Sequence, residues 1–134
     1  MRLIEALIAA GLLAAVCVSL PHAFVSAVRA NQAAADVTWT TVLAAQKVEE
    51  LRSQPFAASG VVEFNEALDS AGRPIDTPSQ RPAYRRTWRT EPLGADPGRT
   101  TVITVVVAPY RHSGDDAAAP GATRLVTLRT RKAT

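Results

Sequence analysis

Glu5 has the most pointed chemical setting in this sequence. Arg2 and Glu5 are the only charged side chains before Arg29, and Ala6 to Val28 runs 23 residues without a formal charge. A carboxylate at the edge of such a stretch costs several kcal/mol if it is buried without a partner. At the headgroup level of a membrane, facing water, it costs little. Elsewhere the sequence is poor in reactive constellations. His22 lies in the apolar stretch and His112 in a loop. His112, Asp115 and Asp116 could hold a cation, but their spacing matches no EF-hand or zinc pattern, and a solvated turn accounts for them equally. The single cysteine, Cys17, cannot form an intrachain disulfide, and its setting reads as that of a small buried apolar residue.

No glycine-rich phosphate cradle and no Gly-x-Ser-x-Gly elbow is present. Ser59-Gly60 and Ser113-Gly114 read as turn pairs, and no carboxylate pair has a context for acid–base work. These observations point away from an enzyme and call for no cofactor or metal. Net charge is +3, from 15 basic and 12 acidic residues. The arginines alternate with Thr and apolar residues, as on solvated strand faces, and form no basic patch for nucleic acid.

The elements that must position Glu5 begin with the apolar stretch itself. As a helix it covers roughly 30 Å of hydrocarbon, enough to cross a bilayer. Leu3, Ile4, Leu7, Ile8, Leu12 and Leu13 supply its apolar surface, and Pro21 predicts a kink. A cleaved signal peptide is the competing reading, with Val25-Ser26-Ala27 and Val28-Arg29-Ala30 as small-residue cleavage sites. Against it, Glu5 follows the short Met1-Arg2-Leu3-Ile4 start at once, and the helical pattern continues past both sites. Asn31 to Gln54 holds no Gly or Pro and is rich in helix formers. Val37, Thr41, Ala44, Val48 and Leu51 recur at helical spacing as a semi-apolar stripe, flanked or opposed by Gln46, Lys47, Glu49, Glu50 and Arg52. Pro55 ends the run. The expectation is one helix of about fifty residues, half in lipid (1–30) and half amphipathic (31–54).

Residues 55–134 then form a small β-rich head. A short strand is expected at 61–64, a Pro/Ser/Asp/Gly-rich loop at 69–82, and strands at 84–90, 100–107 and 123–129. Positions 100–107 are β-branched throughout. In the strand at 84–90, Tyr84, Arg86, Trp88 and Thr90 share one face; in the last strand, Leu125 and Thr127 oppose Arg124, Val126 and Leu128. The fold class is α+β, a long helix packed on an antiparallel meander.

The run Leu3-Ile4-Glu5-Ala6-Leu7-Ile8-Ala9-Ala10 resembles the mature start of type IV pilins and type II secretion pseudopilins, whose motif is close to G-F-T-L-I-E-x-L-x-A. With Met1 in the first mature place, Glu5 falls in the family register, and Pro21 lies near the usual pilin kink. Ala44 to Arg52 (AAQKVEELR) resembles the helix end of minor pseudopilins and pilus modification proteins. The resemblance implies a minor structural subunit of a pilus or pseudopilus. It implies a single-pass anchor in a bacterial inner membrane, a periplasmic head, and final residence in an extracellular pilus or periplasmic pseudopilus. Its partners would be other pilin or pseudopilin subunits, with a prepilin peptidase if a leader lies upstream. Glu5 and the amine of Met1 would be assembly residues, the carboxylate of one subunit meeting the amino terminus of its neighbour. Two departures stand out: no Gly precedes Met1, and Arg2 replaces the usual Thr or Ser. An internal start, a trimmed leader and an unprocessed chain all remain open on that point. The alternatives to a filament subunit are a small secreted or periplasmic binding domain, and a single-pass membrane protein that forms no filament.

Overall fold

The structure is a computed structural model; it describes residues 2–56, 60–77, 80–95, 98–110 and 116–131. Met1, His112, Ser113, Gly114, Asp115 and Ser59 lie outside the described residues. The element order is a helix α1 (Arg2–Ser53), strands β1 (Val62–Leu68), β2 (Tyr84–Pro92) and β3 (Thr100–Pro109), a 3-10 turn (Asp116–Ala118), and strand β4 (Thr123–Thr130). The chain divides into two compact units, Met1–Ala34 and Ala35–Thr134.

In the first unit the helix assignment runs on through Pro21. Proline lacks the N–H that would reach the Cys17 carbonyl, so one rung of the ladder is missing there. One turn earlier, Ser19 Oγ donates to the Val16 carbonyl at 3.1 Å. Leu3, Ile4, Leu7, Ile8, Leu12 and Leu13 are all exposed. Cys17 is exposed too, so the expected burial within the chain is not found. α1 is long and apolar enough to cross a membrane by length and composition, and none of its apolar window is buried. A membrane anchor and a secretion signal share these properties.

The second unit is an antiparallel meander in the order β1-β2-β3-β4, with the last turns of α1 on one face. Phe64 pairs with Trp88, Trp88 with Val105, and Val105 with Leu125, so these four residues cross the sheet on one face. The core joins Leu43, Ala44, Val48 and Leu51 of α1 to Leu68, Ile103, Val105 and Val107. Each fully buried Leu, Ile or Val contributes about 1.5–3 kcal/mol of apolar transfer. All four expected strands are present. The first runs to Leu68 rather than ending at 64, because its Cα partners continue to Tyr84.

Two expectations about faces are corrected. The buried stripe of α1 is Thr40, Leu43, Ala44, Lys47, Val48 and Leu51, while Val37 and Thr41 are exposed. Lys47, expected to flank the apolar stripe, lies within it because the sheet offers it a carboxylate and an aromatic ring. The arginines are likewise not all on solvated faces: Arg86 is only 4% exposed. The described part of the expected loop from 69 to 77 is also more regular than a plain loop. Pro74 bridges to Leu68, and the Ile75 N–H donates to the Ala67 carbonyl at 3.0 Å.

Candidate functional site

Three groups of side chains fasten α1 to the sheet, each at a different turn of the helix. The first is Thr40, fully buried among Gly121 and Thr123. Its Oγ1 lies 3.1 Å from the Val37 carbonyl and 2.9 Å from the Gly121 carbonyl. It is also 2.9 Å from Thr123 Oγ1, which lies 3.0 Å from Thr41 Oγ1. Gly121 has φ +82°, and a Cβ there would stand 3.0 Å from Asp36 Cβ. The turn therefore needs glycine both for its backbone and for the close approach to the helix.

The second is a charge cluster. Arg86 of β2 donates from Nε to Glu66 Oε1 of β1 at 2.6 Å, with Nη2 at 2.5 Å from the same oxygen. Its Nη1 reaches the Leu43 carbonyl of α1 at 3.3 Å. Lys47 Nζ lies 2.9 Å from Glu50 Oε1, 3.7 Å from Glu66 Oε1, and 4.1 Å from the centroid of the Trp88 ring. Trp88 in turn stacks on Phe64 at 5.5 Å. Two nearly buried cations are thus held by one half-buried carboxylate, one exposed carboxylate, a carbonyl and a ring face. Glu66 is occupied by Arg86 and Lys47, which leaves it unsuited to acid–base work; its role is attachment. Removing one member would strand a buried charge.

The third is Arg129 of β4 at the end of α1. Its Nη1 donates to the Leu51 carbonyl at 3.0 Å and its Nη2 to the Gln54 carbonyl, while the guanidinium stands 5.7 Å from the Phe56 ring. The last carbonyls of a helix have no internal donors and carry partial negative charge, so a cation there is doubly favourable. Beside this cap lies an open cleft of about 200 Å³ lined by Leu51, Phe56, Val62, Phe64, Trp88 and Ile103 among others. On the sheet's edge, Asp69 accepts the N–H groups of Ala71 and Arg73, each at 2.9 Å, and Arg73 Nε at 3.2 Å. These bonds, the Arg73 backbone bond foremost, hold its carboxyl below the usual range.

Of the residues expected to act in assembly, Glu5 is an exposed residue in the first turn of α1, and Met1 lies outside the described residues. Sequence reasoning missed Lys47, Glu66, Arg86, Thr40 and Arg129 as fastening residues. One signal was there: the period-2 reading of β2 placed Arg86 on the same face as Tyr84 and Trp88, and a charge on an apolar face demands a partner. Among the described residues, no three His, Cys, Asp or Glu side chains gather as a metal site. No family model, no curated protein and no solved structure matches the chain.

Proposed function

We propose that this chain is a minor structural subunit of a type IV pilin-like filament, a pilus or a type II secretion pseudopilus, and not an enzyme. Before assembly it is anchored in the bacterial inner membrane by the first half of α1, with residues 35–134 in the periplasm. The observation that carries the reading is the division of labour along α1. The helix leaves its first apolar segment uncovered, with Glu5 as the acid of its first turn, and fastens its last turns to an antiparallel sheet. An uncovered apolar helix needs lipid or other helices as its solvent. A carboxylate within it favours a partner that brings a cation.

The test is incorporation. Wild-type chain should be recovered in filaments sheared from cells. Glu5→Leu should remain at its normal level in the inner membrane yet be depleted from filaments, because the apolar side chain inserts readily but cannot pair with a neighbour's amine. Equal recovery of Glu5→Leu and wild type in filaments would overturn the reading.

A second reading has one observation in its favour. Residues 35–134 form a compact unit of their own, and the boundary lies only a few residues past the Val28-Arg29-Ala30 sequence. A domain released by signal peptidase would be complete in its core.

A further inference from the structure

We propose that the two edges of the sheet, acidic along β1 and basic along β4, join successive copies of this chain head to tail into one continuous antiparallel sheet. The inference deepens the filament reading by naming the head-to-head contact, and it rests on that reading for holding copies side by side.

The charge separation is complete along both edges. β1 carries Glu63 and Glu66 and no cation; β4 carries Arg124 and Arg129 and no carboxylate, with Arg131 just beyond. Glu66 and Arg129 are turned to the helix face and engaged there. Glu63 and Arg124 are exposed on the opposite face. Glu63 stands opposite Arg89 across β1–β2, but Arg89 Nη2 is bonded to Glu91 at 3.0 Å.

The backbone agrees with the side chains. In an antiparallel strand, alternate residues turn both N–H and C=O to the same side. The Ala67 carbonyl accepts from Ile75 on the far side from β2, so Glu63 and Asn65 also aim their groups outward. Arg131 donates to Arg99 toward β3, so Arg124, Val126, Leu128 and Thr130 aim theirs outward. The outward-aimed residues of both edges thus have their side chains on the face away from α1. Continuing the meander, β1 of the next copy runs antiparallel to β4 with that same face in common. Setting Asn65 opposite Arg124 brings Glu63 opposite Val126 and diagonal to Arg124. It also brings Val61 opposite Leu128, covering two apolar side chains that are 58% and 57% exposed. The loop at Pro74 covers only the Leu68 end of β1 and leaves Val62–Glu66 open.

Self-pairing is disfavoured by the same charges. Two β4 edges would gather arginines with no carboxylate between them, and two β1 edges would gather glutamates. The joint is heterologous, and where its rotation does not close into a ring it propagates, as a filament requires.

The experiment uses the full chain in membranes, with Cys17→Ser as background. A copy carrying Val61→Cys and a copy carrying Leu128→Cys are expressed together and treated with a short bis-maleimide. Dimers should form from the mixture and not from either copy alone, and a chain carrying both substitutions should give a ladder. Glu63→Arg or Arg124→Glu should lower the yield by roughly twofold to fivefold, as an exposed pair contributes, and the two together should restore it. Raising salt should lower the wild-type yield. Dimers of equal yield from one singly substituted copy, or a yield indifferent to both charge reversals, would overturn the proposal. Cross-links lost while filaments assemble normally would sink the sheet joint alone. Cross-links retained in membranes of cells that build no filament would sink the filament reading and leave the joint standing.

Discussion

Glu66 and Arg86 form an ion pair across the β1–β2 hairpin, and Arg86 continues through its Nη1 to the Leu43 carbonyl of α1. One guanidinium therefore ties two strands to the helix. Lys47 approaches the same carboxylate from the helix side at 3.7 Å. The carboxylate has to remain, because two nearly buried cations depend on it.

Glu66→Leu should lower stability by about 3–5 kcal/mol, the usual cost of leaving a buried cation unpaired. Glu66→Leu combined with Arg86→Met should recover much of that loss, because the second change removes the stranded charge. Urea unfolding of the full chain in detergent, followed by the fluorescence of Trp88 in a Trp39→Phe background, measures both. A double variant as unstable as the single one would show that the pair is not what costs the energy.

The loop after β1 carries a second constraint. Gly72 has φ +78°, and a Cβ there would overlap Leu43 Cδ2. Gly72→Ala should therefore destabilise by about 1–3 kcal/mol, through backbone strain and displacement of a core leucine. Gly94 has open space around it, and Gly94→Ala is the matched control. Equal unfolding midpoints for the two variants would remove the constraint.

Asp69 gives the loop a pH dependence of known sign. Its carboxyl is held below the usual range, first by the Arg73 N–H and then by that of Ala71. A depressed pKa stabilises the folded loop above the ordinary Asp value, and that contribution is lost as pH falls through the folded value. The Asp69 carboxyl should titrate at lower pH than a free aspartate, and the Ala71 and Arg73 amides should shift with the same midpoint by NMR. Asp69→Asn should abolish that common midpoint. Amide shifts centred at or above the ordinary Asp value would contradict the assignment.

Most of the head was legible because its signals are local. The β-branched run at 100–107 needs a fully paired strand, and the Pro/Gly-rich links at 91–99 and 108–122 fit antiparallel returns. The helix length followed from the charge-free apolar run at 6–28 and from the lack of breakers between Asn31 and Pro55. Burial of Lys47 and Arg86 was harder to read, since it depends on register. Glu66 meets Arg86 only because β1 extends to Leu68 and pairs with Tyr84. A strand ended at 64 leaves that carboxylate in a loop and makes both cations look solvated. Thr40 and Arg129 were missed for a similar reason, as the groups that tie them across the fold, the Gly121 carbonyl and Thr123 hydroxyl for one and the Leu51 and Gln54 carbonyls for the other, are distant in sequence.

Amide exchange should follow the sheet order. β3 is paired on both sides over most of its length, whereas β1 and β4 are edges. Val102 to Val107 should exchange more slowly than Arg124, Val126 and Leu128, whose N–H groups aim outward. If those three β4 amides prove as slow as β3 while the chain is monomeric in detergent, the edge assignment fails. If they slow only when copies are dense in the membrane, the sheet joint gains support.

The fate of the amino end separates the two readings of α1, and topology is the place to test it. Arg2 and Arg29 flank the apolar segment with one positive charge each, so the positive-inside rule gives little bias. An anchored subunit should start near Met1, remain with the membrane after a carbonate wash, and lose the region containing Trp88 to protease added to spheroplasts. A secreted domain should start near residue 28 or 31 and leave with the soluble periplasm, because its remaining surface is that of the 35–134 unit. The two outcomes also predict different stabilities in water. With the first segment present, the chain carries a row of uncovered Leu, Ile, Val and Phe side chains and should need detergent. Without it, the core formed by Leu43, Val48, Leu68, Ile103 and Val105 is intact, and the unit should fold unaided. N-terminal sequencing of the native protein decides between them. A start near residue 28 or 31 would end the filament reading, since Glu5 would never reach a neighbouring subunit. A start at Met1 with Trp88 protected in spheroplasts would instead place the head in the cytoplasm and invert the proposed topology.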